Sequence, residues 1–185
     1  QFQERTLTQF DENRYNIVLK SRQTGISTLV AGFSLWKMLF NNDFNCLVIA
    51  TKQEVAKNLV TKVRYMNDNL PSWLKQTAIE DNKLSLRYSN GSQIKATSAA
   101  GDAGRSEALS LLVFDEAAFI DKIEDIWVSA QSTLSTGGSA VILSTPNGVG
   151  NFFHKTWVGA EEEENGFNTI RLHWSVHPER DQQWR

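Results

Sequence analysis

The stretch NIVLKSRQTGISTLVAG, from Asn16 to Gly32, decides how the rest of the chain is read. Its first five residues are β-branched and apolar enough for a strand, and STLVAGFSLWKMLF from Ser27 onward repeats apolar residues at helical spacing. Between them lies a polar turn, KSRQTG. A strand, such a turn and a helix start together make a phosphate cradle, because backbone N–H groups at a helix N-terminus point at an anion whatever the side chains are. The usual pattern is glycine, four residues, glycine, lysine, then serine or threonine. Counting back from Gly25 puts Lys20 where the first glycine belongs and Ile26 where the lysine belongs. Ser27 keeps a hydroxyl able to coordinate Mg2+, and Thr28 follows it. Ile26 cannot neutralise phosphate charge. The stretch is therefore either an ordinary strand-to-helix turn with a surface isoleucine, or a triphosphate loop whose charge comes from Lys20 or Arg22 at its entrance.

Working outward, strand-like and helix-like runs alternate. CLVIAT (46–51), LSLLVFDE (109–116) and SAVILST (139–145) are continuous apolar strands, and FNTIRLHW (167–174) is a last one. QEVAKNLVTKVRYMNDNL (53–70) is an amphipathic helix closed by Pro71. LSLRYSNGSQIKATS (84–98) alternates around Asn90-Gly91, which predicts a two-residue hairpin turn. EEEE (161–164) reads as a solvated helix end or loop. Apolar strands separated by helices predict an α/β fold, a mainly parallel central sheet flanked by helices, with an inserted β-hairpin.

In such sheets function sits at the carboxyl ends of the strands. Three strands end in polar groups: KSRQTGIST, DEAAF and STPNG. After LLVF, the pair Asp115-Glu116 has the form of a metal-shell aspartate followed by a general base that takes a proton from water. Two adjacent carboxylates at the end of a buried strand need a nearby cation. The competing reading is a helix N-cap aspartate with a first-turn glutamate. Ser144, Thr145 and Pro146 sit at the third strand tip, where hydroxyls can sense a terminal phosphate and relay its loss. A plain strand-to-turn transition explains them equally well.

The totals set bounds. The chain has 185 residues with 41% hydrophobic and 22% charged, ordinary for one globular domain. A formal net charge of −2 gives no bulk attraction to nucleic acid or membrane, so polyanion contact needs a local patch. The single Cys46 lies in an apolar run and fits a reducing compartment. No apolar segment approaches the roughly 20 residues a membrane span needs, and the expectation is a soluble intracellular protein without membrane contact. The ends suggest an excised domain of a longer protein. His154, His173 and His177 lack the spacing of a metal-ligand cluster.

Taken in order, FQER…KSRQTGIST…GRS…LLVFDEAAF…STPNG…HPERDQQW closely resembles the ATPase domain of the large terminase subunit of tailed bacteriophages, the motor that packages DNA into the capsid. The resemblance covers nearly the whole chain and implies an ASCE-type P-loop NTPase fold over residues 1–175. Residues 176–185 then begin a linker towards a C-terminal nuclease domain. It implies ATP and Mg2+ as cofactors, with Ser21, Arg22, Gln23, Thr24, Gly25, Ile26, Ser27 and Thr28 around the nucleotide and Ser27 and Asp115 around the metal. Some terminases carry their loop lysine at the start of the loop, which makes Lys20 the displaced charge and Arg22 the loop arginine. Gln3 of FQER falls where the family reads the adenine, and a side-chain amide can donate to and accept from that edge. Arg105 in GDAGRSEAL resembles a family arginine that stabilises the transferred phosphoryl group; Arg64 and Arg87 are weaker candidates. Glu116 becomes the base, with Ser144-Thr145-Pro146 as the coupling element.

The implied partners are double-stranded DNA, the portal protein, the small terminase subunit and further copies of itself in a ring, in the host cell cytoplasm. Lys62 and Arg64 in KNLVTKVRY mark no DNA surface that a solvated helix face would not also show. Two rivals stand beside this reading. One is a superfamily-2-type helicase module, because DEAA resembles its acidic box. The other is a nucleotide-binding scaffold that lost hydrolysis with its lysine.

Overall fold

The computed structural model describes residues 2–99, 108–134, 137–178 and 180. The strands are β1 (Tyr15–Lys20), β2 (Asn45–Ala50), β3 (Ala78–Asp81), β4 (Ser85–Tyr88), β5 (Gln93–Ser98), β6 (Leu111–Asp115), β7 (Ser139–Ser144) and β8 (Asn168–Leu172). Among the described residues they form one sheet in the order β3-β4-β5-β2-β6-β7-β1-β8. From β5 to β8 every neighbouring pair is parallel, while β3 and β4 run antiparallel at one edge. The helices are α1 (Phe2–Glu12), α2 (Ile26–Phe40), α3 (Gln53–Asp68), α4 (Ile123–Thr133) and α5 (Phe152–Glu161).

The continuous apolar runs follow from burial on both faces. Alternate strand residues belong to two cores. Val18, Val48, Val113 and Val141 pack with α1, α2 and α3 through Phe10, Val30, Phe33, Leu59 and Val63. Ile17, Ile49, Phe114 and Ile142 pack on the other side with α4 and α5 through Ile126, Trp127 and Phe153. Each fully buried Val, Ile or Phe side chain contributes about 1.5–3 kcal/mol of burial free energy, so the strand positions are held from above and below. The strand ends are fixed as a result.

The expected hairpin is present as β4 antiparallel to β5, and β5 also pairs in parallel with β2 in the main sheet. Its connection is longer than the two residues expected: Tyr88 N–H donates to the Ser92 carbonyl at 2.9 Å, leaving Ser89-Asn90-Gly91 as the loop. Only Gly91 is left-handed there (φ +84°), whereas a two-residue type I′ turn needs positive φ at both central residues. Asn90 is held otherwise: its side chain donates to the carbonyls of Met38 at 2.7 Å and Asn41 at 3.1 Å, tying the hairpin to the end of α2. Where the acidic run was expected to end a helix or lie in a loop, α5 ends at Glu161 and a turn follows.

Candidate functional site

The loop after β1 is pinned at both ends. Ser21 N–H continues the ladder to the Leu172 carbonyl of β8 at 2.9 Å, and Thr24 Oγ1 closes the turn onto the Ser21 carbonyl at 3.1 Å. Gln23 (φ +57°) and Gly25 (φ +76°) are both left-handed, which curls the chain into a concave turn before α2. Thr28 and Leu29 N–H both reach the Gly25 carbonyl at 3.0 Å; the amides ahead of them are the donors every helix start leaves without an intrahelical partner. Ile26 is not a surface residue. It is 1% exposed and belongs to the core under the sheet, so only its backbone can serve a ligand. An apolar residue at the usual lysine position plugs the helix start into the fold.

A positive charge stands across the pocket from Ile26. Lys20, the last residue of β1, places Nζ 2.9 Å from Glu116 Oε1 and 3.8 Å from Asp115 Oδ1, and its side chain is 10% exposed. Asp115 ends β6, two strands away, with β7 between them. It is not a helix N-cap: the chain turns at Glu116, which is left-handed (φ +57°), into a short 3-10 turn, Ala117–Phe119, with no side-chain cap bond. A glutamate held at positive φ costs on the order of 1 kcal/mol or more, and here the bend brings both carboxylates to one lysine.

Asp115 Oδ2 accepts from Ser27 Oγ at 3.2 Å, whereas its buried Oδ1 makes no hydrogen bond. Burial raises the Asp115 carboxyl above the ordinary carboxylate range, and the Glu116 charge adds to this against the opposing pull of Lys20 and the Ser27 hydroxyl. A buried, incompletely paired carboxylate oxygen beside a serine hydroxyl is an oxygen donor set that suits a hard divalent cation such as Mg2+. Supplying a cation would also relieve the desolvation that raises the carboxyl.

At the end of β7, Thr145 Oγ1 donates to Glu116 Oε2 at 3.3 Å, and Ser144 Oγ accepts from Ala118 N–H at 3.1 Å. Thr145 thus touches the acid pair directly and Ser144 braces the turn behind it, while Pro146 is exposed. Gln3 of α1 lies beside the loop, its Nε2 being 3.8 Å from the position a Cβ on Gly25 would take. It lines a cleft of about 770 Å³ with Leu7, Leu29, Phe33 and Met66, and this cleft shares Gly25 and Thr28 with a smaller pocket of about 200 Å³ between Lys20, Ser27 and Lys62. A largely apolar recess next to a polar one suits a base and its phosphates.

Other candidates fall elsewhere. The Arg22 side chain is exposed, and no hydrogen bond or ion pair of its guanidinium is found among the described residues. Arg64 is taken by Asp81 at 2.7 Å and the Asn82 carbonyl at 2.6 Å, tying α3 to the sheet edge, and Arg87 is exposed on β4. Arg105 lies outside the described residues. Two further residues meet the loop without having been expected there from the sequence. Arg180 donates to the carbonyls of Arg22 at 3.1 Å and Gln23 at 2.7 Å, bracing the curled turn. Lys62 Nζ of α3 reaches Thr28 Oγ1 at 2.6 Å. Neither carries a local signal: one is an arginine in a polar stretch, the other a lysine on an amphipathic helix.

Known structures share this architecture. The ATPase domain of the large terminase of Thermus phage P74-26 is 22% identical over 93% of this chain and 80% of its own, with a TM-score of 0.73. The large terminase of a thermophilic bacteriophage, solved also with ADP and with ATP-gamma-S, is 14% identical with a TM-score of 0.80 in one crystal form. The match covers 99% of this chain and 48% of that one, so this chain spans about half its length. The Phi-28 gp11 DNA packaging motor follows at 17% identity, 96% and 60% coverage and a TM-score of 0.56. At these identities the structures speak for the fold, a P-loop NTPase. The sequence itself matches the model of the family described as terminase large subunit, T4likevirus-type, N-terminal, over residues 17–183, and the chain belongs to that family.

Proposed function

We propose that this domain is the ATPase of a DNA-packaging motor and that its deviant loop is a working one. A single observation carries the reading: Lys20 Nζ reaches Glu116 at 2.9 Å and Asp115 at 3.8 Å at the mouth of the phosphate cradle, which supports Lys20 as the displaced charge. In this reading the β- and γ-phosphates of ATP rest on the loop amides from Arg22 to Ser27, between the paired amides of Ser21 and Thr28, and Gln3 reads the adenine from the adjoining recess. Ser27 and Asp115 would hold Mg2+, which supplies charge neutralisation at the phosphates. Glu116 orients a water and takes its proton as the water oxygen attacks the γ-phosphorus; the bond to the β-phosphate oxygen breaks, leaving ADP and inorganic phosphate. Lys20, with Arg22 and Arg105, stabilises the charge that develops on the transferred group, usually the largest catalytic contribution. Thr145, bonded to Glu116, and Ser144, bonded to the turn behind it, pass the loss of phosphate to β7 and Pro146.

The ADP and ATP-gamma-S complexes of the thermophilic phage enzyme and the packaging-motor relative support nucleotide use and DNA translocation here. Family membership also sets the helicase reading aside. The partners this implies are double-stranded DNA, the portal protein, the small terminase subunit and further copies of the chain in a ring, acting in the host cytoplasm. A structure with a non-hydrolysable ATP analogue tests the site. The expected result has the Lys20 amine within hydrogen-bond reach of the terminal phosphate; Lys20 and Arg22 both turned to solvent would overturn it.

A further inference from the structure

We propose that Lys62 is a phosphate-binding residue of this site, contributing a second positive charge from α3 to the nucleotide's α- and β-phosphates. The proposal rests on the nucleotide reading above. Lys62 Nζ lies 2.6 Å from Thr28 Oγ1 on the first turn of α2. It lines the same 200 Å³ pocket as Lys20, and these two are the cationic side chains among that pocket's described walls.

Their surroundings differ in a way that matters for an anion. Lys20 faces two carboxylates, so the formal charge of that trio is −1 (one lysine against Asp115 and Glu116). It gives little net attraction to a polyphosphate before it moves. Lys62 is bonded to a neutral hydroxyl, and among the described residues no carboxylate lies within ion-pair distance of it. One hydroxyl uses one of its three ammonium hydrogens. Its full charge is therefore available to the pocket.

The lysine is also well placed. Leu59, Val60 and Val63 around it on α3 are buried, so its backbone is part of the core rather than a loose surface segment. Thr28 follows Ser27 by one residue, a rotation of roughly 100° about the helix axis. Ser27 faces Asp115, so Lys62 approaches the loop from another side than the acid pair. The acid pair marks the γ-phosphate end, where water attacks; the other side is left for the phosphates that ATP and ADP share.

The test is the Kd of ATP and of ADP, measured by calorimetry on the wild-type protein and on Lys62→Met and Lys62→Arg, with melting temperatures alongside. Loss of a hydrogen bond to a charged group predicts that Lys62→Met weakens both nucleotides by the same factor, roughly ten- to hundredfold. Lys62→Arg should recover most of that loss, and the melting temperature should follow neither change. Wild-type affinity in Lys62→Met overturns the proposal and leaves the nucleotide reading intact. So does a loss that tracks the melting temperature and that arginine does not restore, since Lys62 is then only a tie between α2 and α3. A loss confined to ATP would place Lys62 at the γ-phosphate and overturn the assignment to the shared phosphates. If the wild-type protein itself bound neither nucleotide, the site reading would fail first.

Discussion

The two ends of the parallel sheet are built from the same strands yet obey different rules. At the amino ends, polar side chains are spent on closing the scaffold. Arg14 donates to the carbonyls of Gly138 at 3.0 Å and Leu134 at 2.8 Å, Asn45 binds the Ala108 carbonyl at 3.0 Å and accepts from Gln93 at 2.7 Å, and Asn168 donates to Asn16 at 3.0 Å. At the carboxyl ends, one lysine serves two carboxylates, a buried carboxylate oxygen has no hydrogen bond, and the glutamate beside it sits at positive φ. Buried Tyr88 Oη also lacks a partner. That group is neutral, and burial pushes its pKa up, so it stays neutral; an unpaired hydroxyl costs far less than an unpaired charge. Incomplete pairing of charge marks the working end of the sheet.

Breaking that contrast at the base has the largest effect. Glu116→Gln should lower phosphate release by about 10²- to 10⁴-fold, the usual worth of a positioned general base, while calorimetry still detects ATP binding. Unchanged turnover would remove the assigned base. Lys20→Ala comes next: it leaves two carboxylates facing the phosphates and should reduce turnover far more than Ile26→Ala. The isoleucine change should instead appear in the melting temperature, because truncating a buried Ile costs about 2–5 kcal/mol. The reverse order in steady-state kinetics would sink the displaced-lysine account.

Smaller effects sharpen the contrast from the other end. Arg14→Ala should cost about 1–3 kcal/mol, since two carbonyls lose a charged donor, and leave kcat unchanged in the same assay. Asp115→Asn should do the opposite and raise the melting temperature at neutral pH. The folded state holds the protonated carboxyl more tightly than the unfolded chain, so the favourable contribution is complete below the ordinary carboxylate pKa. It is lost as pH rises through the raised one. The advantage of the asparagine variant should therefore grow from acid to neutral pH in thermal scans; a gap that shrinks instead would contradict it.

The sheet and the site were legible in the sequence to different depths. β1, β2, β6 and β7 are visible because strands buried on both faces are written as continuous apolar runs. The edge strand β3 is not, because all four residues of AIED are exposed and leave no pattern. α1 buries only Thr6 and Phe10 in eleven residues, too few to show a helical period, and neither α4 nor α5 carries a side-chain signal at both ends. Within the site, Ser27, Asp115 and Glu116 are candidates from spacing along the chain, whereas the choice of Lys20 over Arg22 comes from the family resemblance. Lys62 and Arg180 meet the loop only through tertiary packing, and a lone cation on a solvated face has no local mark. A surface Ile26 belongs only to the alternative of an ordinary strand-to-helix turn, and its burial has no local mark because the core that claims it is built by distant residues.

The placement of β7 between the two functional strands sets a clearance. The backbones of β1 and β6 are two strand spacings apart, about 9–10 Å, and their side chains must bridge that span above whatever β7 ends in. Ser144 and Thr145 are small enough to lie beneath the Lys20–Glu116 crossing, with Ser144 fully covered. A bulky residue at either tip position would act as a wedge, prying the lysine from the carboxylates without touching any of them chemically.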